Sequence, residues 1–145
     1  MLKRKINTII LIFIICNFVR FDFSYNNLGY IKIKRLGIYC NIVEGLNQSI
    51  IDKQVVGYYR QCDNCKTILA GHSIKTVFLN LHNVVINDEI EIFIEVKSIY
   101  KVIDIKVVEA TNTFYINQYN FNGVILVTCM KDNSKRLLIF CEKKE

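Results

Sequence analysis

Apolar residues alternate with polar ones along residues 88–96, DEIEIFIEV, and this period of two constrains the fold more than any other feature of the chain. From Ile90 onward every second residue is aliphatic, and glutamates separate most of them. Successive side chains of a β-strand point to opposite faces, so this segment predicts a strand with one buried face. No stretch sustains the spacing of an amphipathic helix. The sequence therefore predicts an all-β domain.

Further strand-like segments lie on both sides of this one. We predict strands at residues 28–35, 37–43, 67–70, 100–109, 124–129 and 136–141, short helices within 46–54 and 77–82, an irregular segment at 58–66 and a turn at Lys97–Ser98. Residues 113–119 fit no single pattern. Seven or eight strands with short connections predict a closed β-barrel or a sandwich. A chain of 145 residues has room for one such core.

The first 25 residues form a separate segment. The basic cluster MLKRK precedes an apolar run at residues 6–19, which would span about 21 Å as a helix, against about 30 Å of bilayer hydrocarbon. No small-residue cleavage site follows, and Arg20 can extend the span by snorkelling. We therefore predict an uncleaved membrane anchor at 1–25 and a domain at 26–145 outside the membrane. Cleavage, a lipid on Cys16 and a buried N-terminal core element are the alternatives.

The formal net charge of +6 does not indicate a nucleic-acid-binding protein. Half of this charge lies in residues 1–25, and beyond them lysines and acidic residues alternate along the predicted strands. Nucleic-acid binders usually concentrate basic residues on one face or helix. A solvated surface is the better interpretation, and no nucleic-acid partner is expected.

The chain contains six cysteines at irregular spacings, for which we expect mostly free thiols. Cys62 and Cys65 form one local pair, without the second CxxC or histidine pair of a zinc site. A redox protein using this pair is a weaker hypothesis, because the pair does not open a helix in a βαβ unit. We predict no metal site and no cofactor. Nothing in the positions of the acidic residues fixes a calcium cage, so calcium dependence stays open.

Cys129 and His72 are the candidate reactive residues. Cys129 ends a predicted strand, and a hairpin with its loop at 130–135 would bring it opposite Arg136. Nearby cations favour a thiolate, the nucleophilic form of cysteine. His72 follows a buried strand and a glycine that permits close backbone approach, whereas His82 fits a surface or loop position. Papain-like proteases place the cysteine before the histidine, and this chain has the reverse order.

Several segments together resemble the sortase family. The quoted segments are, in order, residues 29–45, TILA followed by Gly71-His72-Ser73, Phe78 and Leu81, NDEI at 87–90, LVTC at 126–129 and RLLI at 136–139. The family pattern is roughly "LAGH", "F..L..L..GD.I", "TLxTC" and "RLIV". The resemblance covers about residues 28–142. It rests on the whole set of motifs, since each motif alone is weak.

The resemblance implies a closed eight-stranded β-barrel with one or two short helices, held at the outer face of a membrane by the N-terminal segment. It also implies a cysteine transpeptidase that cleaves a C-terminal sorting signal of the LPxTG type. Cys129 would be the nucleophile, His72 the general acid and base, and Arg136 the group that stabilises substrate and transition state. Thr128 and Ala70 would line the peptide groove. The partners would be surface proteins bearing the signal and an amine acceptor, either a cell-wall precursor or a pilin lysine.

The chain also departs from the family pattern. Its sequence contains no proline, Ile125 replaces the first threonine of TLxTC, and Asn87 replaces the glycine of GD. The loop before TILA is QCDNCK, and the loop between Cys129 and Arg136 is short. These departures motivate a second hypothesis, a non-catalytic sortase-like barrel that binds peptides at the cell surface. The sortase class, the sorting motif and the acceptor amine stay open.

Overall fold

The structure is a computed structural model that describes residues 26–61 and 66–145. The predicted anchor, Cys16 and the Cys62–Cys65 pair lie outside the described residues. Eight strands are present: β1 Asn27–Ile33, β2 Ile38–Glu44, β3 Val56–Gln61, β4 Lys66–Ala70, β5 Glu89–Ile94, β6 Val96–Glu109, β7 Val124–Cys129 and β8 Lys135–Lys143. Two short helices, α1 Gln48–Ile51 and α2 Phe114–Asn117, and two 3-10 helices, Lys34–Leu36 and Leu79–Asn83, connect them. Within the two described stretches, no helix has the length and apolar character needed to cross a bilayer.

The eight strands close into a barrel in the order β1-β2-β3-β4-β7-β8-β6-β5, with β5 returning to β1. The pairs β2/β3 and β4/β7 are parallel, and the other six are antiparallel. Closure removes the exposed edges that an open sheet would present. The closed eight-stranded barrel expected from the resemblance is therefore confirmed.

Two local predictions were wrong. Residues 58–66 were expected to be irregular, but β3 occupies Val56–Gln61. Its residues do not alternate in polarity, and the strand is held by backbone pairing with β2 and β4. The turn expected at Lys97–Ser98 lies earlier, because Lys97 and Ser98 already pair with β5 and the chain reverses at Glu95, whose φ is 60°.

Apolar side chains pack on both sides of β7 and β8. The interior of the barrel is one cluster, to which these two strands contribute Val124, Leu126, Leu137, Ile139 and Cys141. A second cluster on the outer face contains Ile125, Leu138 and Phe140, packed against aromatic residues around α2. Burial on both faces explains why the sequence of β7 is a continuous apolar run instead of an alternating one.

The strand directions define two ends of the barrel. Because β4 and β7 are parallel, they finish at the same end, which we call the site end. Following the antiparallel pairs from β7 through β8, β6 and β5 to β1 shows that β1 runs in the same direction as β7. The described chain therefore starts at the opposite end, which we call the far end.

Candidate active site

The pairing of β4 with β7 places His72 beside Cys129. Ala70 is in register with Val127, and the amide of Gly71 continues the ladder by donating to the Val127 carbonyl at 3.1 Å. Two residues beyond this pair are His72, which follows the end of β4, and Cys129, the last residue of β7. Since side chains two residues apart share a face, both lie on the outer face of the barrel at the site end.

The β7–β8 hairpin places Arg136 on the other side of Cys129. These two residues are direct partners across the antiparallel pair. Nη1 of Arg136 donates to the carbonyls of Asn133, at 2.8 Å, and Lys135, at 3.2 Å, within the hairpin loop. The remaining guanidinium nitrogens have no hydrogen-bond partner among the described residues. Cys129, at the end of β7, thus lies between His72, just beyond the end of β4, and Arg136, on β8.

The described cysteines differ in exposure. Cys40, Cys129 and Cys141 are all free thiols, and of these three only Cys129 is partly exposed. Burial raises the pKa of the Cys40 thiol to about 11 and also raises the pKa of Cys141 well above its ordinary value. A buried thiol that resists ionisation is a poor nucleophile. Among the described cysteines, Cys129 is therefore the one suited to chemistry.

The structure adds Asp52 to this group, a residue that the sequence analysis did not identify. Asp52 ends α1, and its Oδ1 lies 3.0 Å from Nε2 of His72 and accepts a second hydrogen bond from Gln48 at 2.6 Å. The hydrogen bonds from His72 and then Gln48 lower the pKa of the Asp52 carboxyl. For this region the sequence predicted only a short helix within 46–54 and gave no role to Asp52. Nothing in the sequence links it to His72.

The two predicted substrate-binding residues occupy different environments. Ala70, the last residue of β4, is half-buried and lies two residues before His72. The Thr128 side chain points the other way, is 2% exposed, and donates to the Gly71 carbonyl at 2.8 Å. Any contact of Thr128 with a substrate would therefore come from its backbone. A binding role for these two residues stays a prediction.

The segment around α2 forms a wall beside the outer face of β7 and β8. Tyr115 and Tyr119 pack edge-on against Phe140. Beneath them, the fully buried Nζ of Lys66 donates to the carbonyls of Tyr115, at 3.3 Å, and Tyr119, at 3.0 Å. Burial lowers the pKa of this ammonium group. Lys66, which the sequence analysis also missed, thus fixes the wall to β4.

Two other features lie apart from this group. His82, expected at the surface or in a loop, is half-buried in the 3-10 helix Leu79–Asn83, with Nε2 2.9 Å from Oγ of Ser73. A cavity of about 660 Å³ lies at the far end, where Arg60, Tyr100 and Lys143 are among its lining residues. The cavity is at the end of the barrel opposite Cys129, so we do not assign the reaction to it. Among the described residues, no cluster of His, Cys, Asp or Glu could hold a metal ion.

The sequence was compared with models of known protein families. A family model, the sortase domain, matches residues 31–144. The chain belongs to the sortase family. The match spans the barrel from the middle of β1 to the end of β8 and includes every residue of the candidate site. No curated protein matches the sequence significantly.

Solved structures of sortases share the fold. The Clostridium perfringens sortase C structure with the C-terminal cell wall sorting motif is 26% identical, with a TM-score of 0.72, over 83% of this chain and 71% of that one. Streptococcus suis sortase C1 has a TM-score of 0.73 at 21% identity, over 84% of this chain and 75% of that one. Corynebacterium diphtheriae sortase A has a TM-score of 0.71 at 22% identity, over 83% and 62%. Because sortases A and C are similar to the chain to the same degree, the similarity does not assign a class.

Proposed function

We propose that this sortase is a cysteine transpeptidase that cleaves a C-terminal sorting signal and joins the released protein to an amine. The observation that supports the proposal is the position of Cys129, a partly exposed thiol between His72 and Arg136. A nucleophile, a proton-transfer group and a fixed cation are the three elements that acyl transfer requires.

The first half of the reaction forms an acyl-enzyme. The Cys129 thiolate attacks the scissile carbonyl carbon, forming the S–C bond and moving an electron pair to the carbonyl oxygen. Arg136, whose guanidinium nitrogens other than Nη1 have no hydrogen-bond partner among the described residues, stabilises this oxyanion. The C–N bond then breaks, and the His72 imidazolium gives its proton to the leaving amine.

The second half transfers the acyl group. An incoming amine attacks the thioester carbonyl and gives a proton to neutral His72, and the Cys129 thiolate leaves. Water in place of the amine would give hydrolysis. The amine comes from a cell-wall precursor or from a pilin lysine. The product is therefore a surface protein covalently attached to a larger structure.

The substrate follows from the face on which the site lies. Ala70 and Val127 extend from the reactive residues toward the wall formed by the segment around α2. We propose that an extended peptide lies along this face, between the sheet and the segment around α2. The 26% identical C. perfringens sortase C has been solved with a C-terminal cell wall sorting motif. We propose that surface proteins bearing a signal of this kind, of the LPxTG type, are the substrates.

We further propose that residues 1–25 hold the enzyme in the cell membrane, with the barrel on the outer side. The basic cluster before the apolar run supports this orientation. Membrane fractionation of cells, followed by protease treatment of intact protoplasts, tests it. A barrel that stays in the soluble fraction or resists external protease would contradict the proposal.

The experiment that tests the proposed reaction traps the acyl-enzyme. The protein is incubated with peptides carrying several variants of the sorting motif, and intact-mass and peptide-mapping spectra locate any adduct. We expect an acyl adduct on Cys129 and none on Cys40 or Cys141, whose thiols are buried. Cys129→Ala abolishes the adduct, and His72→Ala and Arg136→Ala each slow its formation about 10²-fold or more.

The same experiment decides between the two hypotheses for this barrel. Wild-type protein that forms no adduct with any motif would overturn the proposed transpeptidase. A Cys129 thiol that alkylates no faster than an ordinary cysteine, at a rate unchanged by His72→Ala, would favour the non-catalytic peptide-binding barrel.

A further inference from the structure

A carboxylate on a separate element contacts the candidate acid–base residue. Asp52 is at the end of α1, a helix that Asn47 caps by accepting the amide of Ile50 at 3.0 Å. Gln48, one turn earlier, donates to the same Asp52 oxygen that contacts His72. The Asp52 carboxylate is therefore held in place by its own helix, and the His72 ring is oriented by its contact with this carboxylate.

Resting on the proposed function, we propose that Asp52 is the positioning residue of this site. By accepting from Nε2 of His72, it keeps that nitrogen protonated, so that Nδ1 is the atom that gives and takes the proton during acyl transfer. No role for Asp52 follows from the motifs that identify the family in this sequence.

Asp52 and His72 differ in which of them can donate a hydrogen bond. The Asp52 carboxyl, with its pKa below the ordinary value, is ionised at neutral pH and can only accept hydrogen bonds. The nitrogen that faces it must then carry hydrogen, which selects the Nε2–H tautomer of neutral His72. Protonation adds the second hydrogen at Nδ1. When the leaving amine takes that hydrogen, Nε2–H stays bonded to Asp52, so the ring keeps one orientation in both halves of the reaction.

Other groups near His72 do not compete for this role. Among the described residues, Asp52 is the only side chain that hydrogen-bonds the His72 ring. The second histidine, His82, is engaged with Ser73 on a different element. An imidazole oriented by a third group recurs in other enzymes with nucleophilic side chains, where loss of that group lowers the rate without destroying the site.

The test compares Asp52→Ala with wild type and with Asp104→Asn, which removes a negative charge from β6 without touching His72. Nitrogen-15 NMR of the imidazole reports the tautomer of neutral His72 without substrate. Steady-state kinetics with a sorting peptide report kcat and KM. Since the Asp52 side chain is 58% exposed, its loss leaves the fold intact, which a thermal unfolding curve checks.

We expect only the Nε2–H tautomer in wild type and in Asp104→Asn, and a mixture of both tautomers in Asp52→Ala. We expect kcat to fall about tenfold or more in Asp52→Ala, with KM changed less than about twofold. An unchanged tautomer, or a kcat that is unchanged or higher in Asp52→Ala, would overturn the inference. If wild type forms no acyl adduct, the proposed function fails, whereas the tautomer measurement still decides the role of Asp52.

Discussion

Thr128 and Cys129 are neighbours in β7, and the alternation of the strand gives them opposite tasks. Cys129 faces outward toward His72 and Arg136, and Thr128 faces the Gly71 carbonyl, to which its hydroxyl donates. A Cβ on Gly71 would lie 2.7 Å from Val77 and 2.9 Å from Phe78, so the turn before His72 has little freedom to shift. The Thr128 hydroxyl thus connects β7, which carries Cys129, to the turn that carries His72.

We expect Thr128→Val to lower both stability and kcat. Valine has the same shape but no donor, which leaves the buried Gly71 carbonyl without this partner at a cost of about 1–3 kcal/mol. Urea unfolding and acyl-transfer kinetics measure the two effects. Thr128→Ser is the matched control, because it keeps the hydroxyl and should keep most of the kcat. Equal kcat values in the two variants would contradict this account.

The sequence predicted some of the individual residues of the candidate site. Cys129, His72 and Arg136 were found because each belongs to a motif that resembles a family, and the strand pairing brings them together. Their catalytic roles remain predictions. Asp52 and Lys66 could not be found this way, because each acts through a contact between elements distant in sequence. An aspartate ending a short helix, or a lysine beginning a strand, is common in positions without any such contact.

Among the elements, the segment around α2 depends most on a single residue. Helix α2 has four residues, too few to be stable alone, and the one side chain that accepts from its first amide is that of Asn112, whose Oδ1 lies 3.1 Å from the Phe114 nitrogen. Lys66 adds stabilisation by donating to two carbonyls of the segment, that of Tyr115 within the helix and that of Tyr119 after it. The segment that we propose as one side of the peptide-binding face is therefore attached to β4 through Lys66.

We expect Lys66→Met to loosen this segment. The loss of two hydrogen bonds to buried carbonyls should cost about 1–3 kcal/mol of local stability and raise amide exchange over residues 114–119 about tenfold or more. Hydrogen-exchange mass spectrometry measures this, and KM for a sorting peptide should rise more than kcat falls. Lys101→Met removes a charge from β6 and serves as the control. Unchanged exchange in Lys66→Met would show that packing alone holds the wall.

The predicted elements agree with the structure where side-chain patterns determine them and fail where backbone pairing does. β5 and β7 were predicted closely, because β5 alternates and β7 is continuously apolar. β3 was missed because two tyrosines, an arginine and a glutamine give no period, although five of its residues pair with β4. The reversal at Glu95 was misplaced because a non-glycine residue in the left-handed region leaves no sequence signal.

For the whole molecule, one ion pair joins three parts of the barrel. Arg35, in the first 3-10 helix, binds both carboxylate oxygens of Asp88 and the Asn83 carbonyl, and Asp88 also accepts the amide of Val85. Asp88 is 8% exposed. The hydrogen bond from Arg35 is the largest influence on the Asp88 carboxyl, and its pKa lies below the ordinary 3.8.

We expect Asp88→Asn to lower the free energy of unfolding by about 1–3 kcal/mol at pH 7. Because the folded-state pKa is depressed, the contribution of Asp88 is fully present above the unfolded-state value of 3.8 and is lost as pH falls below it. The difference between wild type and variant should therefore shrink as the pH falls below 3.8, as measured by urea unfolding. Asp132→Asn, in the exposed hairpin loop, should change stability little. A difference that is constant with pH would show that Asp88 acts by packing.

The position of the last hairpin determines when the thiol acquires its neighbours. β7 and β8 fill the gap between β4 and β6, so the barrel cannot close until the C-terminal residues have been synthesised and have docked. Contacts between strands so distant in sequence form slowly, since the entropy of closing the intervening chain is lost first. On a nascent or truncated polypeptide, Cys129 is thus an isolated cysteine without His72 beside it. The thiol therefore acquires the histidine and the arginine beside it only on completion of folding.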